Sequence, residues 1–305
     1  MLFYSAAAGV RHDYGWYLDQ WALVLAESDP WSTVEDNGNA YGPIHTLLAY
    51  LTPLGDLAPK LLMASVFLIS NFLLVRMLIT RVGVPSPTTL AIYLLLIPMN
   101  ALVIISVFKW GDNDALVAGL VGLAILLRYR GFLGWAGILL GLAVLTKYYP
   151  AVLIPFFCLD ARRFKLTPLI SAGITVLVGL MLTWLRWGDA FFAALRFGSE
   201  RRPNLLSIFV YVESAMPESA LASLIEYNSA LVVAVVVVIL GCSYWLKLSW
   251  IEGAALALLS VLLVYKIGHT QFFVTWMVLL LGVYISSTAR AKRLVLVSMP
   301  LVFFV

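Results

Sequence analysis

Ionisable side chains are scarce in this chain, so those lying between apolar runs are the first place to look for chemistry. On insertion scales such a group costs about 2.5–3.5 kcal/mol at the centre of a membrane helix, which makes it a functional candidate. Three groups stand out. The first is Arg11-His12-Asp13-Tyr14 with Asp19 beyond it. A carboxylate held among aromatics near a membrane surface can act as a general base, because partial burial raises its pKa. An ordinary solvated loop acid is the alternative. The second is Lys109-Trp110-Gly111-Asp112-Asn113-Asp114, a polar turn between apolar segments. Asp114 is placed to cap the following helix, to serve as a site acid, or both.

The third group is cationic: Lys147 before Tyr148-Tyr149-Pro150, Arg201 and Arg202 in a long loop, and Lys266 and His269 in Tyr265-Lys266-Ile267-Gly268-His269-Thr270-Gln271. Converging cations suit a phosphate, since charge-assisted hydrogen bonds stabilise an oxyanion. A lone lysine would more simply snorkel to headgroups, and a lone histidine could be a satisfied helix-end residue. No Cys/His spacing suits zinc, and Cys158 and Cys242 read as small core residues.

The elements that must hold these groups are membrane helices. Of 305 residues, 62% are hydrophobic and only 12% charged, and the mean hydropathy is +0.96. A soluble domain carries about a quarter charged residues, so lipid is the main solvent here. We expect an all-α polytopic membrane protein forming a single domain over residues 1–305. An outer catalytic loop is expected at 11–42, and a second outer loop at 187–227. Within the first loop, Tyr14 to Ala26 fits a short amphipathic helix, with Trp16, Tyr17 and Trp21 suited to a membrane interface. Pro43 to Leu54 reads as a juxtamembrane or half-span helix. Apolar runs follow at 61–80, 88–108, 115–127, 133–146, 149–159, 168–185, 229–246, 251–265 and 272–285. Neither strand alternation nor a short-period repeat is present. Met1 to Val10 is too short to span, and the run from Leu294 to Val305 ends in mid-run, so both ends read as truncated.

Lys and Arg near helix ends mark cytoplasmic turns. Arg76, Arg128, Arg162, Lys165, Lys247 and Arg290 fall at alternate turns, and Asp13, Asp29, Asp112, Asp114, Asp189 and Glu218 fall at the others. The acidic, aromatic loops are therefore expected to face away from the cytoplasm. There is no Gly-rich P-loop and no dinucleotide-binding glycine fingerprint, and no basic aromatic face suggests a nucleic-acid partner.

Five segments, in order, resemble the GT-C class of membrane glycosyltransferases, specifically the family 87 polyprenol-phosphate-mannose-dependent enzymes and the catalytic subunit of GPI mannosyltransferase I. Asp13-Tyr14 with Asp19, then Ser28-Asp29-Pro30-Trp31 and Tyr41-Gly42-Pro43, resembles the first outer loop of the family. Gly111-Asp112-Asn113-Asp114-Ala115 is similar to its Asn-Ala-Asp turn. Gly141-Leu142-Ala143 with Lys147-Tyr148-Tyr149-Pro150 resembles its Lys-x-Tyr-Pro segment. Arg201-Arg202-Pro203-Asn204, with Ser207, resembles a basic loop motif. Lys266 with Thr270-Gln271-Phe272-Phe273 and Trp276 resembles a late Lys…Gln…Trp segment. Many relatives carry a paired Asp-x-Asp in the first loop, where this chain has Arg11 at the earlier position.

The resemblance implies a GT-C-like helical bundle and an inverting transfer of a hexose, mannose being the expected sugar. The donor would be a polyprenyl-phosphate sugar and the acceptor a membrane lipid or a glycan, as in glycolipid biosynthesis. It implies Asp13 as base, with Asp19 or Asp114 as a possible second acid. Lys147, Lys266, His269, Gln271, Arg201, Arg202 and Tyr41 would bind donor phosphate or substrate. A monophosphate donor has no pyrophosphate to clamp, so no cofactor and no divalent metal is expected. The expected location is the plasma membrane of a prokaryote, with the site on the outer face. A lipid or sugar transporter, or a non-catalytic subunit of a glycosylation complex, would share the composition.

Overall fold

A computed structural model of the protein describes residues 1–11, 13–32, 41–82, 99–160, 163–194, 203–212 and 215–286, with residues 87, 97 and 196. Within these the chain is helical almost throughout, as backbone in lipid requires: every N–H and C=O must find a partner within the protein, and a helix satisfies them locally. In chain order the helices are α1 (Leu2–Ala8), α2 (Asp13–Leu25), α3 (Pro43–Leu47, tightening into a 3-10 turn over Leu48–Leu54), α4 (Ala58–Val82), α5 (Ala101–Trp110), α6 (Asp114–Tyr129), α7 (Leu133–Thr146) and α8 (Tyr149–Cys158). There follow α9 (Thr167–Trp187), α10 (Ile208–Val212), α11 (Glu218–Glu226), α12 (Asn228–Trp245), α13 (Trp250–Val264) and α14 (Phe273–Ile285).

Among the described residues, four two-residue strands accompany the helices. β1 (Leu159–Asp160) pairs antiparallel with β2 (Arg163–Phe164), and β3 (Asn204–Leu205) pairs parallel with β4 (Ile267–Gly268). They are too short to alternate faces, which is why no period-2 pattern marks them.

Among the described residues, three of the apolar runs give helices long enough to cross a bilayer, Ala58–Met77, Thr167–Ala194 and Asn228–Trp245, or four if the bent α5–α6 pair is one span. The run at 88–108 lies partly outside the described residues. Its later half is α5, which meets α6 at 116° across a short break. From Ile104 to Trp110, α5 is a π-helix, a form concentrated at functional sites. The run at 149–159 divides into a 3-10 turn and one helical turn, because Pro150 and Pro155 supply no backbone donor.

The interior is built by α4, α6, α13 and α14, with α6 and α14 almost wholly buried. α9 and α12 are the opposite case, with large apolar residues such as Leu177 and Val237 exposed along them. A continuous apolar exterior on long helices is a lipid-facing surface. Asp114 and Arg128 sit near opposite ends of α6, roughly 20 Å apart at 1.5 Å per residue. At the far end Arg128 donates to the Leu159 carbonyl and lies over the Trp250 ring at 4.6 Å, well away from Asp112 and Asp114.

α2 matches the expected amphipathic helix, but its apolar face corrects the interface reading. Tyr17 and Trp21 are fully buried, and only Trp16 is exposed. The Trp21 indole donates to the His45 carbonyl at 2.9 Å, and Tyr17 packs edge-on to the His45 ring. The amphipathic side of α2 is therefore turned onto protein, where it locks the first loop to α3.

Candidate functional site

Five segments meet at the N-terminal end of α6: the start of α2, the Tyr41–His45 stretch, the 111–114 turn, and the Lys147–Tyr149 and Thr270–Thr275 segments, the last two packed against one another. The 111–114 turn is shaped by Gly111, whose φ of 78° is the left-handed conformation glycine adopts without strain. A Cβ there would meet the Lys60 side chain at 2.8 Å. Lys60 is fully buried, and its ammonium donates to the Gly9 and Lys109 carbonyls, both at 2.8 Å. Tyr14 completes the clamp: its hydroxyl donates to the Asp56 carbonyl at 2.6 Å and accepts from the Lys60 backbone N–H at 3.1 Å. One lysine thus ties the end of α1, just ahead of Asp13, to the end of α5, just ahead of Asp112.

Asp114 is buried, and its carboxylate takes the Lys147 ammonium at 2.6 Å and the Tyr149 hydroxyl at 3.1 Å. Tyr149 is in turn 2.6 Å from the Thr275 hydroxyl. With the tyrosine proton directed to Asp114, Thr275 is the donor of that last bond. The capping reading of Asp114 is corrected here: Asn113 holds the N-cap position, and Asp114 begins the helix with its side chain turned to Lys147. The Lys147 ammonium also lies 5.3 Å from the Tyr41 ring centre and 4.7 Å from that of Phe272, distances that give cation–π attraction. Snorkelling does not describe this lysine, which is buried and paired.

Tyr41 reaches Lys147 because Gly42 lies flush on the end of α7. The Gly42 N–H donates to the Thr146 carbonyl at 3.1 Å, and a Cβ at Gly42 would sit 2.2 Å from the Leu145 carbonyl oxygen. His45, one turn on, is buried, and burial with the nearby Lys147 charge lowers its pKa to about 3. Its Nδ1 is 3.4 Å from the Asn113 side-chain amide. That amide nitrogen only donates, so Nδ1 accepts and the proton resides on Nε2.

Asp112 is buried, and neither of its carboxylate oxygens makes a hydrogen bond of full geometry among the described residues, the nearby Ser106 hydroxyl being its one neighbouring side-chain donor there. The side-chain oxygen of Asn113 and Nε2 of His45 also lack a full hydrogen bond among those residues. Burial pushes the Asp112 carboxyl well up; Asp114 and Asp13 add to the rise, and Lys147 opposes it. Asp13, half-buried in the first turn of α2, thus shares a field with Asp112, as it does with Tyr17 and Tyr41.

The predicted residues divide accordingly. Asp13, Asp114, Tyr41 and Lys147 come together. His269 joins them through Phe272, whose ring packs on His269 at 5.5 Å and on Tyr149 at 4.9 Å. Gln271 is buried in the same turn. Lys266 is buried nearby, its backbone N–H held by the Asn228 side chain at 3.1 Å. Asp19 is on the exposed face of α2. His12, Arg201 and Arg202 lie outside the described residues, but Leu206, shortly after the two arginines, donates to the Gly268 carbonyl at 3.0 Å.

The candidate site residues read from the sequence did not include Asp112, His45, Tyr149 or Thr275. Asp112 and Tyr149 stood inside quoted motifs, and a buried-carboxylate argument could have found Asp112. His45 and Thr275 lie on apolar helices with no local signal. Among the described residues no three His, Cys, Asp or Glu side chains are grouped to hold a metal ion.

A glycosyltransferase family 87 profile matches residues 39–267, three quarters of the sequence. The chain belongs to glycosyltransferase family 87. That family has a polytopic GT-C fold, so this is a multi-pass membrane transferase that moves a sugar from a donor to an acceptor. The match takes in Tyr41, Asp112, Asp114, Lys147 and Lys266, while Asp13 precedes it and His269 and Gln271 follow it. No curated protein and no solved structure matches the chain.

Proposed function

We propose that this family 87 enzyme transfers a hexose, mannose in the first instance, from a polyprenyl-phosphate donor to a lipid or glycan acceptor. The transfer takes place on the non-cytoplasmic side of a prokaryotic plasma membrane, with inversion at the anomeric carbon. The observation supporting this reading is the set of buried polar atoms on Asp112, Asn113 and His45 without a full hydrogen bond among the described residues, beside a fixed cation. Buried polar groups are normally satisfied. A sugar satisfies them well: its hydroxyls donate to the carboxylate and the amide oxygen and accept from Nε2 of His45. Lys147 alongside suits the donor phosphate.

In the proposed step the acceptor hydroxyl loses its proton to the Asp13 carboxylate as its oxygen bonds to the anomeric carbon. The bond from that carbon to the phosphate oxygen breaks, and the electron pair leaves with the polyprenyl phosphate. The carbon passes through an oxocarbenium-like state. Lys147, with His269, Lys266, Gln271, Arg201 and Arg202 as further candidates, stabilises the leaving phosphate, and Tyr41 holds Lys147 in place. Asp112 serves the sugar and Asp114 serves the lysine.

The test is transfer of label from polyprenyl-phosphate mannose in reconstituted membranes, comparing wild type, Asp13→Asn and Asp112→Asn. A general base contributes roughly 10²–10⁴-fold, so Asp13→Asn should lose that much with little change in donor KM. Full activity in Asp13→Asn with loss in Asp112→Asn would move the base to Asp112. Movement of labelled lipid across the bilayer without covalent transfer would replace the reading with transport.

A further inference from the structure

We infer that the cavity between α1 and the π-helical end of α5 is a binding site for the headgroup of an anionic phospholipid, which fastens α1 to the site. The cavity has a volume of about 500 Å³ and is lined by Tyr4, Ala7, Ala8, Arg11, Lys109 and Trp110. This is within the usual range for small-molecule sites, and larger than a bare phosphate needs.

Its chemistry is that of a lipid headgroup. Arg11 and Lys109 are both exposed, and neither makes an ion pair with a carboxylate among the described residues. Arg11 uses its Nε–H on the Ala8 carbonyl at 3.2 Å, which leaves the two NH₂ groups of its planar fork for a phosphate. Both cations line one small cavity, so a single phosphate can meet the two of them. The rest of the lining is aromatic or methyl, and α1 continues outward with Leu2, Tyr4 and Phe3 exposed, Phe3 at 88%. An acyl chain can run along that surface, whereas a free anion or an acidic protein segment would gain nothing from it.

The location gives the lipid a consequence. Arg11 precedes Asp13 by two residues, and Lys109 and Trp110 run directly into the turn that holds Asp112. Beneath the cavity Lys60 already ties the same two strands of backbone through Gly9 and Lys109. A phosphate bridging Arg11 and Lys109 closes the same gap from the membrane side. The lining shares no residue with the Lys147 and His269 group proposed for the donor phosphate.

The experiment is native mass spectrometry of the detergent-solubilised protein with phosphatidylglycerol and phosphatidylcholine. Wild type should retain phosphatidylglycerol in preference. Arg11→Gln with Lys109→Gln should weaken it about thirtyfold, at roughly 1 kcal/mol per cation near an anionic lipid. A control, Arg186→Gln with Arg196→Gln, removes the same charge elsewhere and should keep the preference. Equal retention of both lipids by wild type, or equal loss in the control, would overturn the inference. Displacement of the lipid by millimolar inorganic phosphate would also overturn it, making this a free-phosphate site. A second readout is stimulation of mannose transfer by phosphatidylglycerol in phosphatidylcholine vesicles, expected in wild type and absent in the double variant. If wild type binds the lipid but transfers no sugar, the lipid site stands and only the proposed donor chemistry falls.

Discussion

The Asp114–Lys147 pair gives the most decisive prediction, because its energetics separate a working site from an incidental contact. The ammonium and carboxylate are 2.6 Å apart, with side-chain exposures of 10% and 0%. At an effective dielectric constant of about 20, Coulomb's law gives an attraction of about 6 kcal/mol at that distance. Desolvation offsets much of this when the pair forms, but removing one partner leaves the other buried and unpaired, at a cost of about 3–5 kcal/mol. The Tyr149 hydroxyl cannot compensate, since side-chain hydrogen bonds in membrane proteins average about 0.6 kcal/mol. Asp114→Asn and Lys147→Met should each destabilise by about 3–5 kcal/mol. Together they should cost little more than either alone, a coupling of about 3 kcal/mol. Tyr149→Phe should cost under about 1.5 kcal/mol. Reversible unfolding by SDS in mixed micelles measures all four. Single losses below about 1 kcal/mol that simply add would mean the pair does not hold this site together, and Lys147 would then be free to reach headgroups.

Other perturbations test the surrounding geometry. His45 has its folded pKa lowered to about 3 from an ordinary 6.5, so between those values the unfolded chain binds more protons and stability falls as pH falls. Midpoints of thermal unfolding from pH 7 to 4 should drop more steeply for wild type than for His45→Phe, and parallel slopes would remove His45 as the cause. Gly111→Ala should destabilise by about 1–2 kcal/mol through its left-handed backbone, with further loss from the 2.8 Å approach to Lys60; an unchanged SDS midpoint would show that the turn tolerates a Cβ. The Asn228 side chain donates to the Val264 carbonyl at 2.9 Å and accepts from the Lys266 N–H. Asn228→Ala should cost about 1–3 kcal/mol by leaving both groups unsatisfied, and should raise donor KM if Lys266 serves the phosphate; unchanged stability and KM would refute both.

Composition alone settled that lipid is the solvent, since a chain with so few charges cannot cover itself with a wet surface. The order of the short motifs pointed to the family, and the polar turn at 111–114 and the Lys147 segment were visible as charges that apolar helices would otherwise exclude. These conclusions depend only on local chemistry. Tertiary structure decided the rest, because it depends on contacts distant in sequence. Whether Asp114 caps a helix or holds a lysine turned on a partner 33 residues away. Tyr17 and Trp21 look the same in sequence whether they face headgroups or protein, since either surface accepts an aromatic ring with one polar edge. Lys60 carries no signal that singles it out in the sequence, and only the packed chain shows it buried between Gly9 and Lys109. Asp112 and Asp19 are the same residue type in polar stretches of one chain. Folding buries the first among acids and leaves the second in the open, and that difference in burial separates a candidate for sugar binding from a surface charge.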